Sequence, residues 1–200
     1  MFDVALRRLV DPALIRMAGW ITHTPLSANM VTISGAGLAL GAAFSVTQLN
    51  FTAALVFILL NRIVDGLDGA VARINGPTAF GGYLDTICDY IFYLSIPIAF
   101  GLTSAINQIP ALLLVASFTL TAVSFLAFAA IAARQSSGDS AHGPKAFFYS
   151  TGLMEGAETI AFFILFCLFP SFFPTLAIIF AALCLLTVVQ RCILAAKSFR

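Results

Sequence analysis

The chain has 200 residues, of which 60% are hydrophobic and only 10% are charged, and its mean hydropathy is +1.02. A soluble domain is typically about one quarter charged, so this composition excludes an ordinary soluble fold and indicates an integral membrane protein. The net charge of +1 and the lack of an extended basic run give no indication of nucleic-acid binding.

Residues 1–28 are predicted to form a cytoplasmic juxtamembrane segment that does not cross the membrane. Asp11 followed by Pro12 predicts a helix start, because an acidic cap before proline favours the first helical turn. Leu14, Ile15, Ala18 and Trp20 are apolar, whereas Arg16 is basic. This pattern favours an amphipathic helix on the membrane surface over the alternative, a disordered basic tail.

Residues 29–200 are predicted to form one all-α transmembrane domain, because apolar stretches near the length of a membrane span recur through them. Six spans leave no room for a separate soluble domain. The predicted spans are 29–49, 51–73, 83–103, 110–133, 150–169 and 175–193.

Basic residues predict the orientation of these spans. They fall before the first span, in alternate loops and after the last span, whereas the other three loops carry no charge. Because basic loops stay in the cytoplasm, both termini are expected to be cytoplasmic. The residues concerned are Arg7, Arg8, Arg16, Arg73, Arg134, Lys145, Lys197 and Arg200.

Four of the nine acidic residues lie close together at the cytoplasmic ends of the second and third predicted spans. Asp65 and Asp68 are three residues apart, and Asp85 and Asp89 are four apart, so each pair shares one helical face. The turn at residues 75–77 lets the chain reverse and brings the two faces together. Carboxylates at membrane depth are costly and therefore tend to be functional.

Four carboxylates around one small volume suit hard cations such as Mg²⁺ or Mn²⁺. They are sufficient for two ions, and an ion pair can hold a phosphoryl group during its displacement. The small residues Gly66, Gly69, Gly81 and Gly82 flank the acids and would allow a phosphate or nucleotide to approach the backbone. Arg73 could neutralise a phosphate oxygen.

The pattern Asp-x2-Asp-Gly-x2-Ala-Arg-x7-Gly-x3-Asp-x3-Asp runs from Asp65 to Asp89, and all eight specified positions are present. It resembles the signature of the CDP-alcohol phosphatidyltransferases. The six-span layout and the polar opening of the first span, with Asn29 and Thr32, are similar to that family too. The stretches ILLNRIVDGLDGAVAR, SFLAFAAIAA and GLMEGAETI resemble a short bacterial inner-membrane branch.

This resemblance implies a reaction and a set of roles. An acceptor alcohol would attack the β-phosphorus of CDP-diacylglycerol, and CMP would leave. Asp89 would be both a metal ligand and the general base. The implied metal ligands are Asp65, Asp68, Asp85 and Asp89, and the implied CDP-site residues are Asn29, Thr32, Gly69, Arg73 and Gly81. The resemblance further implies a homodimer in contact with membrane lipids of the bacterial inner membrane, with its active site at the cytoplasmic face.

The acceptor remains open at this point. Basic residues could hold the phosphate of a small polyol, with glycerol 3-phosphate as the first hypothesis, whereas the acids could bind a neutral polyol, an amino alcohol or a lipid-linked acceptor. The residues considered for this pocket are Arg134, Lys145, Glu155, Glu158 and Arg191. Outside this class, an ion transporter could use intramembrane carboxylates, but the acids cluster at one depth rather than along a path.

Overall fold

A computed structural model describes residues 2–136 and 152–199, with side chains for residues 11–134 and 152–199. Within those ranges the chain forms seven α-helices, a short 3₁₀ turn at Pro170–Phe172 and no β-strand, which confirms the all-α fold class. The helices are α1 (Phe2–Ile21), α2 (Ala28–Thr47), α3 (Phe51–Asn75), α4 (Ala79–Thr103), α5 (Ala105–Ser136), α6 (Gly156–Leu168) and α7 (Phe173–Ser198).

Four segments of the described chain are long and apolar enough to cross a membrane by length and composition. They are α2, α4, most of α5, and α7 together with the 3₁₀ turn before it. Helix α3 has 25 residues but contains two arginines and two aspartates, and α6 has only 13 residues. The polytopic membrane bundle is therefore confirmed, whereas the number of six spans stays a prediction.

The predicted start of the first helix at Asp11 is wrong. Helix α1 begins at Phe2, and Pro12 lies inside it. A proline locks its φ near the helical value and removes a single N–H donor, so the helix can continue on both sides at the cost of one hydrogen bond. Helix α5 likewise contains Pro110 and begins at Ala105, earlier than the predicted span.

Side-chain caps set the starts of the helices that form the site. Ser27 accepts a hydrogen bond from the Met30 N–H at 3.3 Å at the start of α2, and Thr78 accepts one from the Gly81 N–H at 3.0 Å at the start of α4. Between α3 and α4, Gly76 has a φ of +94°, which favours glycine. The predicted turn at residues 75–77 is therefore confirmed.

The main core is built from phenylalanine rings of α4, α6 and α7, together with small residues of α2. Phe100 stacks on Phe173 with ring centroids 4.6 Å apart, and Phe92 meets Phe163 edge to face at 5.4 Å. The fully buried aromatic side chains are Phe92, Phe100, Phe163, Phe166, Phe173 and Phe180. This core fixes α4, which carries the second acid pair, against α6 and α7.

A second apolar cluster attaches α1 to the acidic end of α3. It contains Leu14 and Ala18 of α1, Val31 of α2, and Leu67 and Val71 of α3, all of them buried. Leu67 lies between the first two aspartates of the motif. The packing of α1 therefore bears directly on the helix turn that carries them.

Large apolar side chains cover the outside of the bundle. Leu102 and Ile106 are each 72% exposed, and similar residues line the outer faces of α2, α5 and α7. Trp20 on α1 is 81% exposed, and tryptophan is enriched at membrane–water interfaces. Such an exterior suits contact with membrane lipids.

Candidate active site

Three of the four motif aspartates converge on one point. One carboxylate oxygen from each of Asp65, Asp85 and Asp89 lies within 4.8 Å of the others. Asp68 is 5% exposed and lies beside Thr32, close enough to Asp65 and Asp85 for their charges to repel. The structure thus brings the two acid pairs together as the spacing predicts. Asp68 is more deeply buried than the other three aspartates.

The side chains that converge here fit a divalent metal ion. All three donors are carboxylate oxygens, which hard cations such as Mg²⁺ and Mn²⁺ prefer. Like charges at this separation repel strongly, so a bound cation would stabilise the cluster. The residues present therefore fit the metal chemistry that the motif implies.

Arg62 lies among these acids and was missed by the sequence analysis. Its Nη1 atom is 3.5 Å from Oδ2 of Asp65, and its Nη2 atom is 3.4 Å from Oδ1 of Asp89. Its spacing could have revealed it, because Arg62 precedes Asp65 by three residues and therefore shares its helical face. The guanidinium joins the acid pair of α3 to that of α4.

Two neighbours fix the direction of the Arg62 side chain. The Asn61 amide donates to the Gly35 carbonyl oxygen of α2 at 2.8 Å, and its Oδ1 accepts from the Arg62 Nε at 2.8 Å. On the other side, the guanidinium carbon lies 4.0 Å from the ring centroid of Phe92. A continuous set of contacts therefore runs from α2 through α3 to α4.

The residues implied for the CDP site fall on either side of the acids. Asn29 on α2 lies against Gly81 on α4, since a Cβ at Gly81 would be 3.3 Å from Asn29 Oδ1 and 2.9 Å from Thr78 Oγ1. Thr32 lines the same small recess as Asp68 and Asp89. These contacts place the polar start of α2 beside the start of α4.

Gly69 and Arg73 form a second part of this region, one helical turn apart on α3. A Cβ at Gly69 would lie 3.4 Å from Arg73 Nη1, so the arginine side chain lies along the helix over the glycine. Arg73 is exposed, and its Nη2 atom is 4.0 Å from Asp11 of α1. A pair this exposed contributes little to stability, which leaves the arginine available for a ligand.

A cavity of about 420 Å³ lies beside Tyr90 and Tyr93, two residues close enough to Asp89 to feel its charge. Tyr90, which follows Asp89 in the sequence, and Tyr93 form its wall on α4, and helices α5, α6 and α7 supply the rest. The lining residues are Tyr90, Tyr93, Phe118, Thr121, Phe125, Met154, Glu155, Gly156, Thr159, Cys184 and Arg191. Sequence analysis identified only Glu155 and Arg191 among them.

Arg191 supplies the cationic side chain in this lining. It is only 8% exposed, and its Nη1 donates to the Thr121 carbonyl oxygen at 2.9 Å and to Ser124 Oγ at 3.4 Å. Its buried Nε has no hydrogen-bond partner within the part of the chain that the structure describes. A buried guanidinium in a cavity lining is suited to an anionic ligand group, and the nearby Glu155 carboxylate offsets part of its charge.

The two glutamates organise the start of α6. Glu155 Oε1 accepts a hydrogen bond from the Gly152 N–H at 3.0 Å, and Glu158 Oε2 accepts one from the Glu155 N–H at 3.1 Å. The Glu155 side chain also accepts from the backbone N–H of Glu158, and this reciprocal Glu155–Glu158 arrangement caps the helix. Glu155 also lines the cavity and lies near Arg191, whereas Glu158 does not line it.

Two other basic residues were considered for the acceptor pocket. Arg134 is exposed in the last turn of α5 and is not part of the cavity lining. Lys145 lies outside the described residues. Among the basic residues considered for this pocket that the structure describes, Arg191 therefore lines the cavity and Arg134 does not.

Comparison with known proteins identifies the family. The family model described as CDP-alcohol phosphatidyltransferase matches residues 25–196. The chain belongs to the CDP-alcohol phosphatidyltransferase family. It is 38% identical over 192 residues to the inner membrane protein YnjF of Escherichia coli strain K12, which covers 96% of this chain and 93% of that protein.

More distant members share part of the sequence or the whole fold. Archaetidylinositol phosphate synthase of Methanothermobacter thermautotrophicus is 34% identical over 44% of this chain and 42% of its own length. The crystal structure of Mycobacterium tuberculosis phosphatidylinositol phosphate synthase with manganese and citrate superposes with a TM-score of 0.73. It is 21% identical and covers 92% of this chain and 89% of that chain, and another structure of the same enzyme has CDP-DAG bound.

The resemblance inferred from the motif is thereby confirmed. As a CDP-alcohol phosphatidyltransferase, the chain is a membrane transferase that acts on substituted phosphate groups in phospholipid biosynthesis. The family motif coincides with the residues that converge between α3 and α4.

Proposed function

We propose that this protein transfers the phosphatidyl group of CDP-diacylglycerol to a small acceptor alcohol. A bond forms between the acceptor oxygen and the β-phosphorus, the bond from that phosphorus to the bridging oxygen breaks, and CMP leaves with that oxygen. The observation that carries the proposal is the convergence of Asp65, Asp85 and Asp89 within 4.8 Å beside a cavity of about 420 Å³. The carboxylates proposed to act on the donor headgroup therefore lie beside a cavity that can hold an acceptor.

The acids are the proposed metal ligands. Two divalent ions, Mg²⁺ or Mn²⁺, held by Asp65, Asp68, Asp85 and Asp89 would supply positive charge to the pyrophosphate of the donor. The all-oxygen donor set supports this assignment, and a relative of the same fold has been crystallised with manganese. The buried position of Asp68 makes it the ligand farthest from solvent.

The cytidine diphosphate is proposed to lie on the other side of the acids from the cavity. Asn29, Thr32 and Gly81 would face it from the start of α2 and α4, and Gly69 and Arg73 from α3. The exposed guanidinium of Arg73 suits a phosphate oxygen, and the small glycines allow close approach. The apolar exterior of the bundle provides lipid-facing surface for the acyl chains.

Asp89 is the proposed general base. It belongs to the acid cluster, and the next residue in α4, Tyr90, lines the cavity. An acceptor hydroxyl that reaches the donor phosphorus from the cavity would pass Asp89, which takes up the hydroxyl proton as the new bond forms. The arrangement separates acceptor and donor on opposite sides of one carboxylate.

The acceptor is proposed to occupy the cavity, with glycerol 3-phosphate as the first candidate. Arg191 supports an anionic group, because its buried guanidinium lines the cavity and donates to the Thr121 carbonyl oxygen and Ser124 Oγ. Glu155 favours a second candidate class, neutral polyols or amino alcohols, because a carboxylate in the same lining would repel a phosphate. A lipid-linked alcohol is a third acceptor of the same chemistry.

The proposed setting is the bacterial inner membrane, with both termini in the cytoplasm and the acids at the cytoplasmic face. Residues 1–28 form the juxtamembrane segment and residues 29–200 the transferase domain. The exposed apolar faces of α5 and α7 are consistent with a homodimer in the membrane. A relative from the E. coli inner membrane and the apolar helices support this location.

CMP release tests the proposal directly. Purified protein in mixed micelles would receive CDP-diacylglycerol and a panel of radiolabelled alcohols, namely glycerol 3-phosphate, inositol, glycerol, serine, ethanolamine and a lipid-linked alcohol. We expect metal-dependent CMP release and transfer of label to lipid with one acceptor class. The Asp89→Asn variant is the background control. Ion flux into protein-containing liposomes without any CMP release would favour the transporter alternative.

A further inference from the structure

Arg62 carries its charge at an unusual position for a membrane anchor. It lies in the middle of α3, directly after the buried Asn61 and one turn before Asp65, and its side chain is 14% exposed. Arginine at such a depth is costly unless it is paired. Its partners are Asp65 and Asp89, which belong to the proposed metal site.

The surroundings hold this guanidinium in place. Asn61 is 3% exposed and links the Arg62 Nε to the backbone of α2 through Gly35, while the Phe92 ring covers one face of the guanidinium. A flexible surface arginine would lose side-chain entropy on forming ion pairs, but here packing has already fixed the direction. The charge is therefore a permanent part of the acidic site.

We propose that Arg62 is a fixed counter-cation of the metal site, which offsets the carboxylates of Asp65 and Asp89 and thereby weakens divalent-metal binding. The inference rests on the proposed metal function of these acids. It makes Arg62 a positioning and charge-setting residue rather than a catalytic one. The positive charge of Arg62 would hold the carboxylates of Asp65 and Asp89 together when no metal is bound. It would also let divalent metal ions exchange more easily than at carboxylates without a cationic neighbour.

A charge role and an orienting role predict opposite effects on metal affinity. If Arg62 mainly orients its acids, removing it should weaken metal binding, as loss of an outer partner usually does by about 10–100-fold. If its charge dominates, removing it should tighten metal binding. A single opposite charge within about 4–6 Å typically changes cation binding to a carboxylate by about tenfold or more.

Mn²⁺ binding to the full chain in detergent provides the test, with free Mn²⁺ measured by electron paramagnetic resonance. We expect Arg62→Gln to bind Mn²⁺ about tenfold more tightly than the wild type. Arg62→Lys keeps the charge and should bind like the wild type. Arg16→Gln removes an exposed arginine of α1 and is the matched control, which should leave the affinity unchanged.

Thermal unfolding supplies a second readout that does not depend on turnover. In EDTA, Arg62→Gln should unfold at a lower temperature than the wild type, because the acids lose their counter-charge. Saturating Mn²⁺ should then raise its unfolding temperature by more than it raises that of the wild type. If Arg62→Gln cannot be recovered folded, Arg62→Met, which keeps an apolar stem over Phe92, replaces it in both measurements.

Equal or weaker Mn²⁺ binding by the neutral variant overturns the counter-cation role, as does an equal response of both proteins to Mn²⁺ in thermal unfolding. Wild-type protein that binds no Mn²⁺ at all would overturn the metal site itself, and the proposal for Arg62 with it. The two failures are thus distinguished by the wild-type titration alone.

Discussion

Leu14 of α1 packs so closely on Gly66 of α3 that a Cβ at position 66 would lie 2.6 Å from Leu14 Cδ1. Gly66 lies between the first two motif aspartates, and its small size was expected to admit a phosphate or nucleotide. The structure instead shows that this glycine faces α1. Its lack of a side chain allows α1 to lie against the turn that carries the acids.

The substitution Gly66→Ala should therefore displace α1 and destabilise the protein. Overpacking of a buried contact typically costs about 1–3 kcal/mol, and the helix propensity of alanine offsets roughly 1 kcal/mol of it, so the midpoint of thermal unfolding should fall below that of Gly37→Ala. Gly37→Ala is the matched control, because a Cβ at that helical position meets nothing within 4 Å. The double variant Leu14→Ala with Gly66→Ala should lose less than the sum of the single effects. Strict additivity would contradict the contact.

Metal removal should abolish transfer. We expect no CMP release in excess EDTA and full recovery after Mg²⁺ or Mn²⁺ is restored. Without metal, the clustered carboxylates offer no positive charge to the donor pyrophosphate. Protein titrated with excess Mn²⁺ should bind two ions per chain at saturation. Full turnover in EDTA would show that the acids do not act through metal.

Asp89→Asn should lower the rate of CMP release by about 10²-fold or more, the usual contribution of a general base. The amide keeps the size of the side chain but cannot take up the acceptor proton. Asp11→Asn, which changes an acid in the exposed pair with Arg73, is the control and should retain near wild-type turnover. A rate near wild type for Asp89→Asn would exclude this residue as the base.

Arg191→Lys should separate the acceptor classes. The variant keeps the positive charge but loses the planar guanidinium that can bind a phosphate through two hydrogen bonds. A phosphorylated acceptor should therefore show a KM about tenfold higher, while the KM for CDP-diacylglycerol stays unchanged. For a neutral or amino-alcohol acceptor, Glu155→Gln should be the variant that raises the acceptor KM. Thermal unfolding of both variants identifies any general loss of stability, since Glu155 also caps α6.

Topology is tested with reporters fused to the termini. Because every basic loop falls on one side in the predicted layout, alkaline phosphatase fused to the C-terminus should be inactive and a fluorescent protein there should fluoresce. The opposite pattern would require an odd number of spans after a cytoplasmic N-terminus. That result would place α3 or α6, the two helices that fall short of the apolar criterion, outside the membrane.

The sequence predicted the fold class and the acid cluster because both follow from short-range patterns. Spacings of three and four residues place Asp65 with Asp68 and Asp85 with Asp89, and the Gly76 turn then brings the pairs together. The start of α1 at Asp11 was mispredicted, because the cap signal before a proline is also compatible with a proline inside a helix.

Contacts across helices could not be predicted in the same way. Arg191 reaches the Thr121 carbonyl oxygen 70 residues earlier in the chain, and no local pattern encodes that partner. The aromatic lining of the cavity likewise depends on which faces of α4 and α5 meet. Arg62 is the exception, since its spacing from Asp65 alone would have identified it.

The charges of α3 also have a consequence for biogenesis. Arg62 and two aspartates each disfavour insertion of an isolated helix by roughly 2.5–3.5 kcal/mol near its centre. By itself, α3 should therefore partition poorly from the translocon into the lipid. Within α3, Arg62 offsets the charge of Asp65, and across the bundle it pairs with Asp89 of α4. The neighbouring Asn61 donates a hydrogen bond to the backbone of α2. We therefore expect the three helices α2, α3 and α4 to partition into lipid as one unit, so that the acid cluster is assembled during insertion.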